Sequence, residues 1–237
     1  MSRKASFPFA FLSFFRNFAT KVAKLLRLGK KRINSFVLLS TFRNFAAMET
    51  IIFLVRHGET VDNARQIMQG QTQGCLNERG TGQALAVAER LAVERVEAVV
   101  ASDLHRAVQT AEYIARPHGL TVTTTPLLRE RDWGSFTGRF IPDLRGEVWP
   151  DDIESEEALL RRARRFLQYM TATYPGQRVV AVGHGIINKA ILACYAQCTM
   201  REVQRMMNAE VRVLTVSAER AASACAVASA ATVASAE

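Results

Sequence analysis

Five consecutive apolar residues, Ile51 to Val55, run straight into Arg56-His57-Gly58. A run of that length and character reads as a short strand buried along its whole width. In an open α/β sheet, ligands sit beyond the carboxyl ends of such strands. A cation, an imidazole and a residue without a side chain at that end suit an anionic ligand. Arg56 supplies charge, His57 a nucleophile, and Gly58 allows close approach of the backbone. Taken alone, the tripeptide is equally compatible with an exposed turn that happens to hold a histidine.

The chain has 237 residues and a formal charge of +9, but the charge is unevenly placed. Residues 1–47 hold ten Lys or Arg and no acid, leaving 21 basic against 22 acidic residues in the remainder. The basic character belongs to the leader, so nucleic-acid binding by the whole chain is not expected. The leader also holds nine of the thirteen phenylalanines, and FRNFA occurs twice in it. Three readings stand for it: an organelle transit peptide, a basic amphipathic segment on an anionic membrane, or sequence upstream of a start at Met48. Cys75, Cys194, Cys198 and Cys225 form no CxxC and no His-containing metal spacing. Free thiols in a reducing, cytoplasmic compartment are expected, or an organelle if the leader is a transit peptide. No apolar run reaches the length of a membrane span, so stable insertion is not expected.

After the first strand, alternation continues. Helical spacing runs from Asn77 or Gly80 to about Glu94, and Val96–Ala101 is a second strand. Ser102-Asp103 is placed to cap a helix over Leu104–Arg116. Leu120–Thr125 is a β-branched third strand, and Leu127–Gly138 is irregular. Ser155–Thr173 is a long helix whose Arg161, Arg162, Arg164 and Arg165 form a solvated face. Arg178–Val182 is a fourth buried strand running into Gly183-His184-Gly185, followed by helices over Ile186–Ala196 and Met200–Met207 and a strand over Val211–Val216. The expected organisation is a leader (1–47), a domain (48–216) and an Ala/Ser-rich frayed tail (217–237). The expected fold is an α/β three-layer sandwich, a mostly parallel central sheet with helices on both faces. His57, His184 and Arg106 then fall just past strand ends or at a helix start, which argues for one site. His105 and His118 read as surface residues.

Four ordered motifs carry a resemblance: FLVRHGET, SDLHRAVQTAE (Ser102–Glu112), LLRERDWGSFTG (Leu127–Gly138) and VGHG (Val182–Gly185). Together they resemble the histidine phosphatase superfamily, also called phosphoglycerate mutase-like, and within it the small phosphatase branch similar to α-ribazole phosphatase. The resemblance spans about Met48 to Val216. It implies His57 as nucleophile, Arg56 and Arg106 as phosphate-binding cations, Glu130 as acid and His184 as a second histidine held cationic among phosphate oxygens. It further implies Asn63, Thr72 and Gly185 as substrate contacts. Such an enzyme needs no metal or other cofactor, and its partner is a small phosphorylated metabolite; the oligomeric state stays open.

The chemistry matches these residue types. Phosphoryl transfer is governed by positioning and cationic stabilisation, forked guanidinium groups grip phosphate oxygens, and a carboxyl group protonates the departing oxygen. Gln73 stands where the family carries an acid. Mutases of the family carry a basic insertion between the acid and the second histidine; here Glu130 and His184 are only 54 positions apart. A non-catalytic scaffold would be expected to have lost a histidine or the acid, and all are present. The segment Arg139–Glu157 holds seven acids and two cations, with Phe140 and Trp149 in it and Trp133 and Phe136 before it. If it covers the pocket, its field repels a second phosphate or a carboxylate on the leaving group, and its rings favour a flat, neutral or cationic ring there; otherwise the acids simply cap and solvate the helix start near Ser155.

Overall fold

The computed structural model describes residues 48–223. The leader and the end of the Ala/Ser-rich tail, with the expectations attached to them, lie outside the described residues. Strands β1 (Thr50–Arg56), β2 (Ala98–Ala101), β3 (Val122–Thr124), β4 (Arg178–Gly183) and β5 (Val211–Val216) form one sheet in the order β3-β2-β4-β1-β5. The β1–β4, β2–β4 and β2–β3 pairs are parallel, and only β5 runs antiparallel, against β1. The α-helices are α1 (Val61–Ala64), α2 (Glu78–Leu91), α3 (His105–Ala115), α4 (Glu156–Thr173), α5 (Gly185–Ala196) and α6 (Ala218–Ser223).

The period-two alternation of a strand divides the Ile51–Val55 run between two cores. Ile52 and Leu54 pack with Phe166, Leu167 and Met170 of α4 and Ile187 and Ile191 of α5. Phe53 and Val55 face the other way, onto Val87 and Leu91 of α2 and Ala107, Ala111 and Ile114 of α3. β4 splits identically, Val179 and Ala181 to one side, Val180 and Val182 to the other. Helices therefore cover both faces, and the α/β three-layer expectation holds.

Caps fix where helices begin. Asn77 accepts from Gly80 N–H at 2.7 Å and Ser155 from Ala158 N–H at 3.2 Å, satisfying first-turn donors. Ser102-Asp103 does not cap α3 as expected. Ser102 Oγ takes Leu104 N–H (3.3 Å), Asp103 is held by Arg129 through two hydrogen bonds, and Gln73 Oε1 accepts from His105 N–H at 2.9 Å. The amide that stands in place of the family's acid thus serves the start of α3.

Two expectations fail. Met200–Met207 is not a helix. Thr199 N–H and hydroxyl both donate to Glu202, the Met206 carbonyl accepts from Arg56 at 2.7 Å, and Met206 is buried while Met207 is exposed. The buried guanidinium and the side-chain turn outweigh helical spacing there. Residues 218–223, assigned to a frayed tail, instead form α6, whose Ala221 joins the larger core.

Gly58 also differs from expectation. A Cβ there would overlap the carbonyl oxygen of Gly80, and one at Gly80 would overlap the Glu59 backbone. The two glycines let the first turn of α2 press against the chain leaving β1; the space is occupied by protein, not kept for a ligand. Gly80→Ala is therefore expected to lower stability by about 2 kcal/mol or more through overpacking against backbone. Gly82→Ala, also within α2 but with open space around it, should raise stability by roughly 0.5–1 kcal/mol. Thermal melts of the two variants check this: equal shifts would mean the glycine pair is not a tight contact.

Candidate active site

β1 and β4 are paired in parallel with Arg56 opposite Gly183, and His57 N–H continues the ladder to Gly183 O at 3.1 Å. Two strand ends are thereby level, and the residues just past them, His57 and His184, meet with ring centroids 4.9 Å apart. Both rings are buried.

The hydrogen bonds fix both tautomers. His57 Nδ1 lies 2.7 Å from the Gly58 carbonyl. A carbonyl only accepts, so Nδ1 carries the proton and, in the neutral ring, Nε2 has a free lone pair. Burial, then Arg106 and Arg56, push the His57 pKa well below its ordinary value. In His184 the pattern reverses. Arg106 Nε donates to its Nδ1 at 3.2 Å, so the proton is on Nε2, which is buried and has no partner among the described residues. Burial, followed by Arg106 and His57, also depresses its pKa. The cationic His184 expected from the sequence is not found, because a ring that accepts from an arginine is neutral.

Arg106, on the first turn of α3, is almost fully buried. Besides His184 it reaches the carbonyls of Thr72, Gln73 and Gly70. It therefore latches the 70–73 loop and retains one Nη2 N–H for a ligand. Among the described residues Arg56 donates only to Met206 O and its Nε is buried without a partner, so it is the freer fork. Burial lowers each guanidinium pKa to about 10, and both remain charged at neutral pH.

Glu130 reaches the site from an irregular segment and sits over the N-terminus of α5. Its Oε1 accepts from Arg131, Ile186 and Ile187 N–H at 2.8, 3.1 and 3.2 Å. Its Oε2 has a single contact among the described residues, 3.2 Å to Ile186 N–H, and is the oxygen better placed to exchange a proton. Arg162 steadies this segment by reaching the carbonyls of Leu127, Arg129 and Glu130 while it pairs with Glu154. Arg162 was expected on a solvated face; it is mostly buried and acts behind the acid.

A cavity of about 170 Å³ joins four of these groups, while His184 is fully buried and is not among its lining residues. Arg56, His57, Arg106 and Glu130 line it, with Asn63, Gln69, Gly70 and Arg205, and an apolar wall of Ile67, Met68, Trp133, Ile141 and Ile186. Asn63 is largely engaged, donating to Gln69 Oε1 and accepting from Thr60 N–H and Asn208. Thr72 lies outside the lining; its hydroxyl donates to Gln69 O and its carbonyl serves Arg106. Gly185 is the first residue of α5, and its bare Cα lies under the Arg205 guanidinium. Sequence reasoning missed Gln69 and Asn208, which sit in no motif or periodic element, and Arg205, which falls in the stretch read as a helix. The acids of Arg139–Glu157 do not line the cavity. Glu147 pairs with Arg139, Glu154 with Arg162 and Glu157 with Arg161, and Asp152 accepts from Ser135 N–H. The charge of these four is taken up locally.

A family model, "Histidine phosphatase superfamily (branch 1)", matches residues 52–227. The chain belongs to this superfamily. It is 36% identical over 182 residues to a metal-independent phosphoserine phosphatase of Arabidopsis thaliana, covering 70% of this chain and 76% of that one. It is also 36% identical over 156 residues to a probable phosphoglycerate mutase of Yersinia enterocolitica, covering 60% and 73% respectively. Among solved structures, a mycobacterial glucosyl-3-phosphoglycerate phosphatase superposes with TM-score 0.63 at 28% identity, over 70% of this chain and 90% of that one. The chain is a phosphomonoester hydrolase of the histidine phosphatase type.

The two neutral histidines link stability of this histidine phosphatase to pH. Unfolded, each takes a proton near pH 6.5; folded, each resists it. Below about pH 6.5 the unfolded state binds more protons, so stability falls as pH falls. The slope is up to roughly 1.4 kcal/mol per pH unit per histidine. Denaturant titrations between pH 7 and 5 should show this slope, reduced by about half in His57→Gln. A flat profile would mean that the rings are charged in the folded state.

Proposed function

We propose that the chain hydrolyses small phosphomonoesters through a phosphohistidine at His57, without a metal ion. The observation that carries this is the pair of fixed tautomers: a bare His57 Nε2 and, on the neighbouring ring, a His184 Nε2–H without a partner among the described residues. One is a nucleophile in its reactive form at neutral pH; the other is a donor waiting for an acceptor oxygen.

In the first step the Nε2 lone pair of His57 attacks phosphorus. Charge on the equatorial oxygens is met by Arg56, the remaining Arg106 N–H and His184. The ester P–O bond breaks, and the departing oxygen takes a proton from Glu130. In the second step Glu130 removes a proton from water as the water attacks phosphorus. The N–P bond breaks, inorganic phosphate leaves, and His57 is neutral again with Glu130 reprotonated. The apolar wall of Ile67, Met68, Trp133, Ile141 and Ile186 supports a leaving group with an apolar or ring-shaped body, the feature shared with α-ribazole phosphate.

His57→Ala is expected to abolish turnover and to remove an acid-labile, base-stable phosphoryl label that wild type acquires from substrate. Label retained in the variant would place the nucleophile elsewhere. Glu130→Gln should lower kcat by about 10²–10⁴-fold for alkyl phosphates and by much less for p-nitrophenyl phosphate, whose leaving group needs little protonation. Equal losses would remove Glu130 from the proton transfer. EDTA should leave the rate unchanged; inactivation restored by a divalent ion would overturn the metal-free step.

A further inference from the structure

A side-chain amide can lie either way round, with its NH2 or its carbonyl toward a ligand. Near a phosphate, that choice decides between a hydrogen bond and a repulsion. Asn63 and Gln69 both line the catalytic cavity, so their orientation bears on the phosphoryl group. The orientation is set from outside the cavity. Asp62 stands half-buried beside Asn63 on α1 and is not a lining residue. Its Oδ2 accepts from Gln69 Nε2 at 3.1 Å. An ionised carboxylate has no proton to give, so the NH2 of Gln69 faces Asp62 and its carbonyl faces away.

The polarity is then handed on. Gln69 Oε1 accepts from Asn63 Nδ2 at 3.1 Å and from the Thr60 hydroxyl at 2.9 Å. Asn63 Oδ1 is thereby turned to Asn208, whose Nδ2 lies 3.3 Å away and also donates to the His57 carbonyl at 3.1 Å. Three amides thus share one polarity between two acceptors, the Asp62 carboxylate and the His57 carbonyl. The other groups around Gln69 do not enforce it. The Thr60 hydroxyl can give or take a hydrogen bond, and Gly74 only makes room, since a Cβ there would lie 2.4 Å from Gln69 Nε2. Asp62 supplies the sign. In this orientation Asn63 Nδ2 donates one N–H to Gln69 and, among the described residues, keeps the other for a ligand. Inverted, Asn63 would present a lone pair to a phosphate oxygen instead.

Resting on the phosphatase reading of the site, we propose that Asp62 is a positioning residue for phosphoryl binding. Acting through Gln69, it keeps the Asn63 amide turned so that its second Nδ2–H meets an oxygen of the transferring group. Asp62 also acts on Arg106 through space, more weakly than burial and Glu130, and the test separates that route from the amides.

Calorimetry with inorganic phosphate reads this without turnover. Asp62→Ala should weaken phosphate binding by about 3–10-fold, the worth of one well-placed hydrogen bond. Asp62→Asn, which keeps an acceptor oxygen for Gln69, should retain most of the affinity. In an Asn63→Ala background, Asp62→Ala should cause no further loss, because the two residues act in series. In parallel, Asp62→Ala should lower kcat/KM by the same factor for p-nitrophenyl phosphate and for an alkyl phosphate, since the contact is to the phosphoryl group. Unchanged phosphate affinity in Asp62→Ala would overturn the proposal, even alongside a lower Tm. An undiminished effect in the Asn63→Ala background would overturn it in favour of the field on Arg106. Asp62→Asn as weak as Asp62→Ala would do the same, by making the charge and not the acceptor responsible. A loss confined to the alkyl phosphate would place the defect at Glu130 and also refute it. The expected phosphate pattern with no turnover of any phosphomonoester would count against the phosphohistidine mechanism alone.

Discussion

The parallel pairing of β1 with β4 is the constraint on which the site depends. Because Arg56 stands opposite Gly183, the next residue of each strand emerges at the same height, and two imidazoles come together. A register slip of one residue would invert which side chains face each core, turning Ile52 and Leu54 away from α4 and α5. The hydrophobic division of the sheet therefore enforces the catalytic geometry. Arg106 arrives behind His184 because α3 packs on one face of the same strands. Two buried guanidinium groups near two imidazoles make a strongly positive floor, and the imidazoles respond by staying neutral. That response keeps His57 nucleophilic, and it leaves the floor electrostatically incomplete until an anion enters.

Glu130 depends on a second set of contacts, independent of the strand register. Three backbone N–H groups hold its carboxylate, two of them from the first turn of α5, where the helix dipole favours negative charge. Arg162 holds the segment behind it and is itself fixed by a pair of hydrogen bonds with Glu154. The acid is thus aimed by the helix that follows His184 and by the long helix beneath. Asn188 ties the same helix to β1 through Val55 O at 3.0 Å. Acid and nucleophile are consequently indexed to one rigid frame, as proton transfer in a transition state demands.

The fold class was legible because apolar runs and helical spacing alternate cleanly, and the floor was legible because its residues stand at strand ends within short motifs. The sheet order was not, since nothing in the chain says that β4 inserts between β1 and β2. Gly58 was read as room for a ligand, whereas Gly80 fills that room, a contact between positions 22 apart that no local pattern encodes. Met200–Met207 has helical spacing, yet the tertiary demand of the Arg56 guanidinium for the Met206 carbonyl prevails. The charge state of His184 was misjudged because residue type does not reveal which neighbour occupies Nδ1. Arg205 escaped notice for a related reason: exposed arginines are common, and only the bare Cα of Gly185 beside it distinguishes this one.

These differences separate the site into two parts with different origins. The floor is built from strand ends and helix starts, whose positions are fixed by both cores, and it handles the phosphoryl group. The mouth is built from irregular segments. Residues 131–149 are pinned there by Arg131, whose guanidinium carbon lies 4.9 Å from the Trp133 ring and 5.0 Å from the Trp149 ring. Residues 199–210 are pinned by Arg56, Glu202 and Glu210. Irregular segments tolerate substitution better than packed strands, so the leaving-group side can change while the chemistry is preserved. The acids of Arg139–Glu157 fit this division. Several are engaged by arginines or backbone N–H groups of their own neighbourhood, so they shape the mouth without lining the cavity.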